Sequence, residues 1–181
     1  MNLARIDFAE GHVDEALKNL SGILERSDNN QARLLIAEIE QTAGHPSSSL
    51  QHYRRAVDAN PNDVVALNNL AYMLAENPAG MDEALKLGQR AMELAPDNAL
   101  VADTLGWVLY RKGLYDSAIR YFEKAALNQE PVVQYHLAMA CFKAGNLKRG
   151  NQALEAALRQ NPRLPEAEIA KRLRMEANIA K

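Results

Sequence analysis

The chain has 181 residues, 48% hydrophobic and 24% charged, with a formal net charge of −2. That composition excludes a disordered polyampholyte, and no basic block beyond KRLR at 171–174 offers a footprint for nucleic acid. No stretch approaches the roughly 20 apolar residues that cross a bilayer, and one cysteine, Cys141, leaves no intrachain disulfide framework.

The first residues, MNLARIDFAEGH, carry acidic side chains where an export signal would have its apolar run. From there on, apolar residues recur at three- and four-residue intervals, as in Leu67, Leu70, Ala71 and Leu74, between glycines and prolines. This spacing predicts helices over 2–10, 13–26, 30–43, 47–59, 63–77, 81–94, 98–112, 115–128, 131–144, 147–160 and 165–178. The helices fall into a repeat. A small residue returns at Ala16, Ser49, Ala84, Ala118 and Gly150, in steps of 33, 35, 34 and 32 residues. Twelve residues before the anchor stand Ala4, Ala37, Gly106 and Ala138, and thirteen before it Ala71, each preceded by Leu or Ile. Seven after it stand Ile23, Ala56, Ala91, Ala125 and Ala157. Gly11, Gly44, Gly113 and Gly145 lie five before the anchor and Gly80 four before, while Pro61, Pro96 and Pro162 close three repeats.

Each column has a physical reason. A glycine after a helix adopts the left-handed C-terminal conformation at little steric cost. A proline cannot continue a helix and so marks the next boundary. Small residues inside helices mark places where two helices approach closely. In DTLGWVLYRKGLYDSAIRYFEKA (103–125), Gly106, Ala118 and Ala125 are therefore read as close-packing positions and Gly113 as a turn, not as a catalytic glycine loop.

The columns resemble the tetratricopeptide repeat (TPR), whose 34-residue unit has small residues at its eighth, twentieth and twenty-seventh places and a proline near its thirty-second. The resemblance implies an all-α, right-handed α-solenoid of about five repeats (1–29, 30–63, 64–98, 99–130 and 131–163). A capping helix over 164–181 follows, with Ile169 and Leu173 on one side. Departures are Asp28 in place of the usual proline, Gly88 where Tyr53, Phe122 and Leu154 keep a large residue, and a connection two residues short at NQEPVV. The first repeat has a short opening helix. It is expected either to follow further repeats in a longer protein or to dimerise at that end.

Chemistry-bearing residues are sparse. His12 and His45 occupy equivalent turns and could approach each other, but no thiolate or HExxH-like companion joins them. Cys141 is read as a buried structural thiol. Asp14, Glu15, Asp82 and Glu83 open second helices, where acidic side chains complement the helix dipole. No phosphate loop, GxSxG or paired-carboxylate motif is present in the sequence. The chain is read as non-enzymatic, with no cofactor, metal or catalytic residue.

In TPR proteins the first helices line a concave face that receives a peptide or partner helix. Counting from the small residue of each first helix, that face takes Gln31, Leu34, Glu38 and Thr42 from repeat two. Repeat three supplies Val65, Asn68, Asn69, Tyr72 and Glu76. Repeat four supplies Leu100, Asp103, Thr104, Trp107 and Arg111, with Tyr110 at the margin, and repeat five Val132, Tyr135, His136, Met139 and Lys143. The candidate partner-binding set is Asn68, Asn69, Tyr72, Asp103, Thr104, Trp107, Arg111, Tyr135, His136, Met139 and Lys143, with Asn69 as the reader of a peptide backbone. The lysine-rich clamp for acidic tails known in the family is not matched, because Leu34, Asn68, Asp103 and Tyr135 occupy its places. A protein segment with apolar anchors is therefore the expected partner, with no nucleic acid and no membrane insertion.

The strings NNLA (68–71) and DTLGW (103–107) also resemble repeats of bacterial TPR lipoproteins linked to PEP-CTERM/exosortase and exopolysaccharide systems. That narrower resemblance implies a periplasmic fragment of an exported protein; the chain by itself reads as cytoplasmic. The alternative function is a spacer or self-association module dimerising through Leu3, Ile6 and Phe8 at the open first helix.

Overall fold

The computed structural model describes residues 1–128, 130–163 and 167–179. Its helices are α1 (Asn2–Ala9), α2 (Val13–Arg26), α3 (Asn30–Thr42), α4 (Pro46–Ala59), α5 (Val64–Ala75), α6 (Met81–Leu94), α7 (Ala99–Arg111), α8 (Tyr115–Ala125), α9 (Pro131–Lys143), α10 (Leu147–Gln160) and α11 (Ala167–Ile179). Short 3-10 turns occupy Pro78–Gly80 and Ala126–Asn128. All eleven expected helices are present among the described residues. The predicted start of the last one, at Pro165, lies outside them.

Each odd-numbered helix folds back on the even-numbered one that follows, and each even helix packs on the next odd one, so the hairpins stack in chain order. Side chains set the starts of the first helices. Asn29 accepts from the Ala32 N–H at 2.9 Å, Asp63 from Val65 and Ala66 at 3.1 Å each, and Asn98 from Leu100 and Val101. Pro131 opens α9, where its missing N–H costs nothing.

The ends of four first helices are set by glycine. Gly11, Gly44, Gly113 and Gly145 have φ of 86°, 83°, 76° and 76°. In each, the next residue's N–H reaches back five residues, as His12 does to Asp7 and Leu114 to Leu109, at 2.8 and 2.9 Å. This is the paired hydrogen-bond arrangement that satisfies a helix's last carbonyls. The third repeat departs from the expected pattern. Gly80 has φ −90° and stands before α6, because Pro78 diverts the chain into a 3-10 turn capped by Asn77. Gly80 is needed for space instead: a Cβ there would lie 2.9 Å from the Leu74 carbonyl oxygen.

The small columns do bring helices together. A Cβ on Gly106 would lie 2.7 Å from two ring carbons of Phe122, and one on Gly150 would lie 2.5 Å from the Phe142 ring. Ser49, fully buried, donates its hydroxyl to the Ala37 carbonyl at 2.7 Å. At Gly88 the missing side chain is replaced by Leu105, whose Cδ1 would be 3.3 Å from an added Cβ. At the far end α11 packs on α9 and α10, and Ala170 and Leu173 join their buried cluster.

Candidate functional site

The concave face runs along α3, α5, α7 and α9, and its two halves differ. In the half formed by α7 and α9 the polar and aromatic side chains satisfy one another. Trp107 stacks on Tyr110 with ring centres 5.4 Å apart and lies 4.9 Å from the His136 ring. Its indole N–H donates to Glu76 Oε1 at 3.0 Å. Arg111 pairs with Glu76 Oε2 at 2.9 Å and reaches over the Trp107 ring at 5.8 Å. His136 Nδ1 is bonded to Asp103 at 2.9 Å. Glu76, Arg111, Trp107, His136 and Asp103 thus form one linked wall.

Three candidates fall out of the accessible face. Thr104, Tyr135 and Met139 are buried, contrary to the groove-facing positions the sequence assigns them. Tyr135 and Met139 belong to the same buried cluster as Ala170 and Leu173, and α9, onto which α8, α10 and α11 all pack, is buried from Leu137 to Phe142 without a break. Lys143 stays exposed at the end of α9.

The other half is open. Where α1, α3 and α5 converge there is a cleft of about 230 Å³. Leu34, Leu35 and Val65 give it an apolar lining, and Arg5, Gln31, Glu38 and Asn69 give it polar ones. Asn69 donates to the Tyr53 hydroxyl at 3.3 Å and accepts from Asn68 Nδ2 at 3.2 Å. Asn68 Oδ1 is buried with no hydrogen-bond partner among the described residues, an arrangement that costs free energy until a donor arrives. Tyr72 and Val65 are exposed nearby. Sequence columns place Gln31, Leu34, Glu38, Val65 and Asn69 on this face; they miss Leu35 and also Arg5, although Arg5 shares a column with Glu38, Tyr72 and Trp107.

The histidine turns do not converge on each other's chemistry: His12 lies 3.6 Å from Glu10, and His45 is bonded to Glu40 at 2.7 Å. Among the described residues no three His, Cys, Asp or Glu side chains gather as a metal ion requires. The acidic second-helix starts do more than face a dipole. Lys112 bonds Asp82 at 2.6 Å and holds its carboxyl below the usual range, and Glu83 binds Arg54 in a two-point pair.

Cys141 is wholly buried and burial pushes its thiol up to about 11, while burial raises Tyr53 and Tyr110 to about 12. All three are acids whose neutral form the fold prefers. Their contribution is complete below the ordinary values, 9.0 for the thiol and 10.0 for the phenols, and is lost as pH rises through the raised ones. The urea midpoint is therefore expected to hold steady to about pH 9 and then fall. Cys141→Ala should remove the earliest part of that fall. A midpoint flat from pH 8 to 11 in the wild type would contradict the burial of these groups.

Stacked helical hairpins with an open concave face define a helical-repeat protein. The tetratricopeptide repeat model matches residues 34–99, and the model for anaphase-promoting complex, cyclosome, subunit 3 matches residues 80–157. The family's repeat is thus matched over residues 34–99, and the helices of the chain take the antiparallel arrangement of tetratricopeptide repeats. A TPR repeat-containing protein of Pseudomonas aeruginosa is 36% identical over 72 residues, which is 40% of this chain and 12% of that protein. The STIP1 homolog of Dictyostelium discoideum is 22% identical over 64% of this chain and 26% of its own length. The chain thus spans about an eighth and a quarter of these two relatives.

Among solved structures, a thermophilic TPR protein from Thermus thermophilus superposes with TM-score 0.76 at 19% identity, covering 99% of this chain and 97% of that one. PilW, a type IV pilus biogenesis factor, gives 0.81 at 17% identity over 99% and 89% of the two chains. YrrB, a TPR protein with an unusual peptide-binding site, gives 0.69 at 18% identity over 95% and 90%. These likenesses establish the fold.

Proposed function

We propose that the chain is a non-enzymatic scaffold that holds a peptide or partner segment in its concave groove, with an apolar anchor seated between α3 and α5. The observation that carries this reading is the open cleft in which the apolar Leu34, Leu35 and Val65 stand beside Asn69. An apolar side chain fills the lined volume, and the polar Arg5, Gln31, Glu38 and Asn69 around it offer hydrogen bonds to the segment's backbone. Trp107, Arg111, His136, Asp103 and Tyr72 form the wall along which the segment continues, and Lys143 marks its far end. Thr104, Tyr135 and Met139 support that wall from behind.

An envelope or exopolysaccharide assembly role is the finer part of this proposal. It rests on the strings at 68–71 and 103–107, with the likeness to a pilus biogenesis factor as context.

The test is a peptide selected on the wild-type chain from a random display library and titrated by fluorescence anisotropy. Val65→Lys with Asn69→Ala is expected to weaken it by roughly tenfold or more, about 1.4 kcal/mol, with helicity by circular dichroism unchanged. Equal affinity for a folded double variant would move the site away from the cleft.

A further inference from the structure

The groove has a lower lip that the cleft touches only at Val65. Six residues before the small residue of each of α3, α5, α7 and α9 stand Gln31, Val65, Leu100 and Val132. The last three are apolar and open, at 55%, 72% and 43% exposed. They hold one register near the starts of α5, α7 and α9, first helices that pack on one another in that order. Trp107 and Arg111 lie about two and three turns further along α7.

The lip is also acidic. Asp63 caps α5 two residues before Val65, Glu130 stands exposed just before α9, and Asp97 is fully exposed just before Asn98, the cap of α7. Lys124 comes within 3.9 Å of Asp97, and Arg90 nearby is matched by Glu93 at 3.1 Å. Each of these first helices begins a few residues after the preceding second helix ends. Opposed dipole ends therefore meet at this edge and offset each other, which leaves the charge of the carboxylates.

Packed helices lie about 8–10 Å apart, so the three apolar side chains recur at about that pitch. A segment crossing them must present an apolar side chain on one side at the same interval. A β-strand does so every ~6.7 Å. An α-helix does so at one turn, ~5.4 Å, or at every seventh residue, ~10.5 Å. A polyproline II helix has three residues per turn and a rise of about 3.1 Å, so one side recurs every ~9.3 Å. The last of these falls within the pitch of the lip.

We propose that Val65, Leu100 and Val132 form a ladder for a polyproline II segment of period three. The segment is apolar at one place of each triplet and basic at the next, where it faces Asp63, Asp97 and Glu130. The proposal rests on the groove reading above and adds the conformation and charge of what is held. A polyproline II backbone is already extended, so it loses little conformational entropy on docking.

The probe is a labelled peptide of four Leu-Pro-Arg triplets, titrated against the full chain by fluorescence anisotropy. It is expected to bind roughly tenfold tighter than a peptide of the same residues in an order that breaks the period. Leu100→Ser with Val132→Ser should remove that preference with helicity by circular dichroism unchanged, since both side chains are exposed. Glu130→Lys should weaken the binding and flatten its dependence on salt. Equal binding of the two peptides, binding by neither, or a preference that survives the double serine variant would overturn the proposal. So would tighter binding of a helical peptide with leucines seven apart, which would give the ladder to a helix. A dimer in light scattering that the serine variant disperses would give it to a second copy. A library-selected peptide that needs Asn69 but ignores Leu100 would overturn the ladder alone and leave the groove reading standing.

Discussion

Replacing Phe122 with alanine is expected to lower the unfolding free energy by about 3–5 kcal/mol, the range for truncating a fully buried aromatic ring. The ring has no exposed surface, lies 5.5 Å from the His136 ring and covers the backbone of Gly106. It thus joins α7, α8 and α9 at one point. Those helices cannot close the gap by collapsing, since the small residues around it already bring them close. Equilibrium urea unfolding followed by circular dichroism measures the loss. A cost below about 1 kcal/mol would mean that the neighbouring hairpins repack freely, at odds with the close approach at Gly106.

Gly106→Ala carries the second large effect, and its sign depends on Phe122. Helix propensity alone favours alanine by roughly 1 kcal/mol. Here the new methyl group would lie 2.7 Å from the Phe122 ring carbons, and an overpacked core typically loses about 1–3 kcal/mol. Because the ring is buried against α9, it has no open side to move into, so the substitution is expected to destabilise the wild type. In the Phe122→Ala background the obstacle is gone and Gly106→Ala should stabilise. The double-mutant cycle is therefore expected to show a coupling of about 2 kcal/mol. A Gly106→Ala that stabilises both backgrounds equally would refute the close-packing role of this column.

The fold is legible because the features that build it are local and recur. The spacing of Leu67, Leu70, Ala71 and Leu74 is enough to specify a helix face, and a glycine such as Gly113 is enough to end one. Five copies in step make each column its own control. The column reading fails at Gly80 because it assigns one role to one residue type. Pro78, two residues earlier, has already sent the backbone elsewhere.

The site is legible only in outline. Columns indicate which way a first-helix residue points, and so they gather Leu34, Glu38, Val65 and Asn69, which line one cleft. They carry no information on what another helix does to that face, and Tyr135 and Met139 are lost to the interior for this reason. Nor do they show pairing: Trp107 and Arg111 reach across repeats to Glu76, more than thirty residues away in the chain.

The cleft between α3 and α5 has a mechanical side. First helices α5 and α7 pack directly on each other, as do α7 and α9, and each of these links resists bending about its own junction. Compliances in series add, so a load along the stack strains the α1–α3 junction, and with it the α3–α5 junction, before those two links. Opening the α3–α5 junction widens the groove between Leu34 and Val65, and closing it narrows the groove. A segment held there would act as a wedge that sets the curvature of the whole coil, and tension applied at either end of the coil would alter its grip.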